Sequence, residues 1–334
     1  MKNILILGGT GFVGRILSEN LTKSENKVTL FNRGKRNPSL FPEFNKITGD
    51  RNTVDIFKIA TSSWDVVIDF SGFFPDNIEN LVSILEDNAG RYIFISTASV
   101  YDVANPSGIT YPINEDFHLL ECTEEQRKDK HPFNFYGNKK AECERIILNS
   151  GKLDSIIFRP ALIYGRYDPT DRFYYWLYRA KTQSEILLPE EGKSELTNTY
   201  SEDFAAVLQK AIELENHKSV YNAVTHPSIT IKEMVEQMAK SFNRNPEFVS
   251  ADDEFLARNN VSEWVGIPLW IKDFNFVLDN SGLLNDFKIN FHSFSDSIKQ
   301  TSEYYNKLDW YIPKDGVSLT QEKEFIAELK SKKD

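Results

Sequence analysis

Lys2-Asn3-Ile4-Leu5-Ile6-Leu7 runs without a break into Gly8-Gly9-Thr10-Gly11-Phe12-Val13-Gly14. The apolar run reads as a buried parallel strand. The glycine cluster then turns the chain into an amphipathic helix through Arg15-Ile16-Leu17-Ser18-Glu19-Asn20-Leu21. Gly9, Gly11 and Gly14 satisfy G-x-G-x-x-G, while Gly8, Gly11 and Gly14 give the wider G-x-x-G-x-x-G. Such a turn needs glycine so that the chain reverses tightly, bare backbone approaches a pyrophosphate, and the helix packs close to the strand. The helix N-terminus then offers unpaired N–H groups and partial positive charge to an anion. Gly8, Gly11, Phe12, Val13 and Gly14 are therefore candidate dinucleotide contacts. The plainer alternative is a glycine turn that only joins strand to helix.

Outward from this stretch, strand and helix patterns alternate. Lys27–Phe31, Asp65–Phe70, Arg91–Ser96 and Ser155–Phe158 read as strands, with helical patterns around Thr53–Ser62, Asp76–Asp87 and Phe135–Asn149. This βαβ alternation implies an α/β fold, a doubly wound parallel sheet with helices on both faces. Ligands of such sheets bind beyond the carboxyl ends of the strands. After Pro160 the pattern changes. Aromatic residues crowd Arg172–Arg179, a helix is expected at Glu202–Leu214 and a strand at Val220–Val224. Thr230 with Glu233, and Ser318 with Gln321, are capping boxes opening helices. Ala251–Asn290 is expected to be mainly helical.

The chain has 334 residues, a net charge of −10 and two cysteines, Cys122 and Cys143. The length suits one large or two smaller domains. The acidic balance disfavours nucleic acid as the main partner, because phosphate binding needs basic surface. Two distant thiols give neither a disulfide framework nor a zinc spacing, and the scattered histidines suggest no metal site. With no signal peptide and no membrane-length apolar run in view, a cytoplasmic protein without membrane association is expected.

The second strand closes on Asn32-Arg33-Gly34-Lys35-Arg36. A carboxylate at this place holds the adenine ribose 2′-hydroxyl and favours NAD, whereas arginine favours the 2′-phosphate of NADP. Here no carboxylate is present, so NADP is preferred over NAD, with Asn32 and Arg33 as contacts; a solvated basic loop is the alternative. Asp50 closes the third strand and suits the adenine amino group, or serves as a turn residue. Ser71 and Gly72, ending the fourth, would let the cofactor pass close to backbone.

Three pieces converge past the fifth strand: Ser96-Thr97-Ala98-Ser99-Val100-Tyr101, Tyr136-Gly137-Asn138-Lys139-Lys140, and Arg159-Pro160. Tyr136 and Lys140 lie four apart and share a helix face. A tyrosine of pKa about 10 is a poor base at neutral pH, but an adjacent ammonium stabilises its phenolate. Tyr136 would then exchange a proton with a substrate hydroxyl or carbonyl while hydride moves to or from a nicotinamide. Thr97 would bond the reacting oxygen, and Lys140 would also hold the nicotinamide ribose.

These motifs, in type and order, resemble the extended short-chain dehydrogenase/reductase superfamily of the NAD(P)-dependent epimerase/dehydratase type. Within it, Val28–Gly34, Gly49-Asp50-Arg51 and Asp171-Arg172-Phe173 resemble a branch that includes bacterial reductase-like proteins and chloroplast stem-loop RNA-binding proteins. The resemblance implies a Rossmann domain (1–165 and 199–224) with a smaller α+β substrate domain (166–198 and 225–334), often paired as a homodimer. It implies Thr97, Tyr136 and Lys140 as the catalytic set. Arg51, Tyr136, Lys140 and Arg159 join the cofactor contacts, and Thr97, Tyr101 and Arg172 the substrate contacts. Asn32-Arg33 departs from the acidic residue of NAD-retaining sugar epimerases. The aromatics after Arg172 read as core before they read as a sugar platform. The stretch 102–134, with Pro106 and Pro112, reads equally as a lid or as a surface excursion.

The leading expectation is an oxidoreductase acting on a carbonyl or secondary alcohol of a small molecule, with nucleotide-linked sugars among the candidates. A nucleotide-sugar 4-epimerase or dehydratase with retained cofactor is the alternative. A dinucleotide-sensing or RNA-binding protein with little turnover is the alternative of another class.

Overall fold

A computed structural model describes residues 1–104 and 108–332, so Pro106 of the long excursion lies outside the described residues. The chain divides into two compact units, which are described separately. The first comprises Met1–Ile163, Thr199–Thr225 and Leu278–Asn290; the second comprises Tyr164–Asn198, His226–Val277 and Phe291–Asp334.

The first unit is built on β1 (Asn3–Leu7), α1 (Phe12–Leu21), β2 (Lys27–Asn32), β3 (Asn45–Thr48), β4 (Trp64–Asp69), α2 (Pro75–Leu85), β5 (Ala89–Ile95), α3 (Glu124–Lys128), α4 (Tyr136–Asn149) and β6 (Asp154–Arg159). One seven-stranded sheet runs, edge to edge, from the strand Val220–Asn222 through β6, β5, β4, β1 and β2 to β3. Every pairing is parallel. The order reverses at β1, the switch point at which such sheets open a crevice for a ligand. Strand alternation divides the core. Leu5, Leu7, Val67, Tyr92, Phe94 and Ile157 pack with Ile78, Leu81 and Leu85 of α2 and Cys143 and Ile147 of α4. Ile4, Ile6 and Ile68 are also fully buried and fall on the opposite face by the two-residue period. The helical pattern around Thr53–Ser62 forms as a 3₁₀ helix, Val54–Thr61.

The segment Leu278–Asn290 groups with the first unit, although it was expected in the substrate domain. Leu278 bridges Ile113, the Asn280 amide donates to the Val224 carbonyl at 2.9 Å, and Phe287 packs edge-on to Phe158 at 5.7 Å.

The second unit pairs the helices Arg172–Thr182 and Ile231–Ser241 with a two-stranded parallel ribbon, Glu185–Pro189 and Glu247–Ala251. Both expected capping boxes form, at Thr230/Glu233 and Ser318/Gln321. Phe173, Tyr174, Tyr175 and Trp176 are buried, so the aromatic run is core. The expectation of a mainly helical 251–290 is overturned. Only Asp253–Arg258 and Ser281–Phe287 are helical there. Between them Asn260, Trp264, Leu269 and Asp273 take left-handed backbone, which a helix cannot accommodate. Val261, Ile267, Trp270 and Phe274 beside them are buried by tertiary packing that carries no helical period. Among the described residues, no helix is long and apolar enough to cross a membrane.

Candidate functional site

The carboxyl ends of β1 to β5 and the start of α4 gather most of the expected residues on the first unit. At β1, Gly8 leads into the loop and Gly11 caps α1 with no side-chain hydrogen bond and no acidic residue in the first turn. The helix N-terminus is thus left open to an anion. A Cβ on Gly14 would lie 2.7 Å from the Gly8 carbonyl oxygen, so only glycine permits this approach of helix to strand. Phe12 starts the helix at φ 38°, a strained conformation of the kind that gathers at ligand-binding turns. Val13, next to it, is buried.

The loop after β2 folds back over the glycines. The Asn37 amide donates to the Thr10 carbonyl at 3.0 Å, and the Arg36 guanidinium lies 3.0 Å from where a Gly11 Cβ would stand. Arg33 is exposed, and the Asn32 side chain accepts from the Gly34 amide at 2.9 Å. Of the basic residues in this loop, Arg36 is therefore placed against the glycine turn. Its charge was legible in the sequence; its reach over Gly11 was not. At β3, Asp50 closes a turn by accepting from the Asn52 amide at 3.0 Å with one carboxylate oxygen.

Arg51 does not face outward as a cofactor contact. Its Nη1 donates to both oxygens of Asp69, at 2.6 and 2.7 Å, and to Ser71 Oγ at 3.0 Å. Tyr92 and the Ser71 amide also donate to Asp69. Burial raises the Asp69 carboxyl, but the Arg51 charge and these hydrogen bonds outweigh it and hold the group below its usual range. This buried cross-tie braces the end of β4 and uses the side chain of Ser71 as well. Gly72 follows, so tightly packed that a Cβ would meet Phe94 at 2.6 Å.

Tyr136 opens α4 behind Phe135, which takes left-handed backbone. The Tyr136 ring lies 6.2 Å from that of Phe73. A Cβ on Gly137 would stand 2.1 Å from the Ser99 carbonyl oxygen, so glycine alone lets the helix start lie against the turn that follows Thr97. One turn on, Lys140 is buried. Its Nζ donates to the Gly72 carbonyl at 2.9 Å and the Ile95 carbonyl at 2.6 Å, and sits 3.9 Å from the Phe94 ring centre. Burial pushes its pKa down to about 8 against the pull of nearby Asp69 and Glu144. Thr97, two residues past Ile95, caps a short 3₁₀ turn by accepting from the Ser99 amide at 3.2 Å. Tyr136, Lys140 and Thr97 are thus fixed by one helix and one strand end.

Two expected contacts belong to the interior instead. Arg159 pairs with Glu144 at 2.6 Å and donates to Tyr101 Oη at 3.1 Å; the Tyr101 hydroxyl donates to Asn222 Oδ1 at 2.6 Å. Both are almost fully buried, so neither is a surface for cofactor or substrate. Arg172 lies in the second unit, its guanidinium 5.3 Å from the Trp264 ring centre. The described residues of the 102–134 excursion are bound into the first unit. Leu120 and Asp102 make backbone bonds with Val100 and His118, and Arg127 of α3 pairs with Asp76 and Glu79 of α2 and Glu142 of α4. These ties favour the surface-excursion reading over a free lid.

A parallel sheet with an open glycine turn at its switch point, and a tyrosine–lysine helix at its fifth strand, defines a dinucleotide-binding α/β protein. The NAD dependent epimerase/dehydratase family matches residues 4–223, and the chain belongs to it. It is 25% identical over 327 residues to the chloroplast stem-loop binding protein of 41 kDa b from Arabidopsis thaliana, covering 87% of this chain and 79% of that protein. Among solved structures, the UDP-N-acetylglucosamine 4-epimerase from Methanobrevibacter ruminantium M1, in complex with UDP-N-acetylmuramic acid, matches with a TM-score of 0.71. Identity there is 18%, over 92% of this chain and 99% of that one. The Bordetella bronchiseptica enzyme WbmH, in complex with NAD+, matches with a TM-score of 0.67 at 20% identity, over 92% and 99% of the two chains. These likenesses bear out the expected family and Rossmann-type fold.

Proposed function

We propose that the chain is an NAD(P)-dependent oxidoreductase in which Tyr136, assisted by Lys140 and Thr97, exchanges a proton with a carbonyl or secondary alcohol of a small molecule. The observation that carries the reading is the seat of Lys140. It is buried between the ends of β4 and β5, one helical turn from Tyr136, and it bonds the carbonyl of Ile95, which lies two residues before Thr97. The open end of α1 and the close packing at Gly14 suit a pyrophosphate, and its bonds to the Gly72 and Ile95 carbonyls leave the Lys140 ammonium a third N–H that suits a ribose hydroxyl. Bound there, the dinucleotide would supply or accept a hydride. Lys140 lowers the cost of the Tyr136 phenolate, and Thr97 orients the reacting oxygen. Arg36 over Gly11, with Arg33 and Lys35 beside it, favours the 2′-phosphate of NADP.

Nucleotide sugars are the first substrates to test, because the matched epimerase structure holds UDP-N-acetylmuramic acid. Purified protein would be offered UDP- and dTDP-sugars with NADP+ or NAD+, and the products read by mass spectrometry. Free NADPH accumulating in step with an oxidised sugar supports net oxidoreduction. An epimer or dehydrated sugar with no net reduced cofactor supports the retained-cofactor alternative. The stem-loop binding relative favours a second reading, RNA binding with little turnover. Stem-loop RNA binding that weakens steeply with salt, with no turnover of any sugar, would establish that reading instead.

A further inference from the structure

We propose that the buried ion pair of Glu144 and Arg159 is a positioning pair for the site, fixing α4 against the two residues that precede Thr97. The inference rests on the roles proposed above for Tyr136 and Lys140, and it assigns a task to two residues outside that set.

Tyr136, Lys140 and Glu144 follow one another at four-residue spacing and so share one face of α4. Lys140 grips the Ile95 carbonyl, and Glu144 accepts from the hydroxyl of Ser96, the next residue. The helix is thus held at consecutive positions of the strand end that leads into Thr97. Glu144 is held in turn by Arg159 at the end of β6, through Nε at 3.0 Å and Nη2 at 2.6 Å. Arg159 Nη1 donates to Tyr101 Oη at 3.1 Å and to the Glu115 carbonyl at 2.8 Å. Glu144 is fully buried and Arg159 nearly so.

A buried ion pair adds little net stability, because desolvating two charges offsets their attraction; what it can supply is a fixed geometry. Here the geometry it fixes is that of the helix bearing Tyr136 and Lys140. Glu144 has an electrostatic effect too. The groups acting on Lys140 are Cys143 and Glu144 from its own helix, Asp69 from β4 and Arg51 after β3. Glu144 and Asp69 favour the charged ammonium, while burial and Arg51 oppose it. Arg159 from β6 and the Tyr101 hydroxyl face Glu144 itself.

The test is a fluorescence titration of NADPH binding from neutral to alkaline pH. The unaltered chain should bind more weakly above a limb near the Lys140 value of about 8, and Lys140→Met should flatten that limb. A limb that survives Lys140→Met contradicts the role of Lys140, and the inference falls with it. With the limb assigned to Lys140, the double variant Glu144→Met/Arg159→Met removes both charges together. It should fold and move the limb to lower pH by about one unit. A folded double variant with an unmoved limb overturns the positioning role while leaving that of Lys140 intact. Glu144→Asp keeps the charge but withdraws the carboxylate by one methylene. It should move the limb the same way by less, and if the double variant fails to fold, an unmoved limb in Glu144→Asp overturns the proposal.

Discussion

At the scale of single residues, the site rests on charges placed where water cannot screen them. Lys140 is the clearest case: its ammonium is held by two carbonyls and an aromatic face, and burial brings its pKa to about 8. If turnover needs the ammonium, kcat/KM should fall as pH rises through about 8, and a rate flat to well above that pH would remove the requirement. The linked effect on stability has the opposite sign. Between about 8 and the ordinary value of 10.5 the unfolded chain binds the extra proton, so this group's contribution to stability improves with rising pH across that window. Arg36 gives a second prediction. Arg36→Ala should weaken NADPH binding by roughly tenfold or more, the worth of a charge-assisted hydrogen bond, and leave NADH nearly unchanged. Arg33→Ala should do less, because Arg36 is the side chain lying over Gly11. Equal losses for both cofactors, measured by fluorescence titration, would remove the preference for NADP.

At the scale of elements, the start of α4 depends on a contact made through a missing side chain. Gly137→Ala would place a methyl 2.1 Å from the Ser99 carbonyl oxygen. The helix would have to withdraw, with an expected loss of about 3 kcal/mol, read as a lower urea midpoint at unchanged slope. A near-neutral midpoint would mean that the helix start yields freely. The elements readable in the sequence are those whose signal is local. β1 and α1 follow from an apolar run and spaced glycines, and Thr230/Glu233 and Ser318/Gln321 mark helix starts within four residues. What stayed hidden is set by distant contacts. Arg159 sits beside Pro160 like a ligand-facing residue, yet its partner is Glu144, on a different element. Arg51 follows the third strand as a cofactor contact would, but Asp69, on β4 with two strands between, draws it inward. Segment 251–290 is rich in apolar residues, and its left-handed turns are dictated by packing that no helical period announces.

At the scale of the whole molecule, the acidic balance and the family membership constrain different things. A net charge of −10 lowers the attraction of the surface as a whole for phosphate, while the family and the parallel sheet define a dinucleotide fold. Neither fixes the chemistry; Tyr136 does, if it carries the proton. The most direct measurement compares the unaltered chain with Tyr136→Phe on whichever substrate the sugar panel yields, recording turnover and NADPH affinity on the same preparations. Losing the phenol should lower kcat about a hundredfold to ten-thousandfold, with cofactor affinity nearly intact. Turnover retained in Tyr136→Phe would contradict the role of Tyr136.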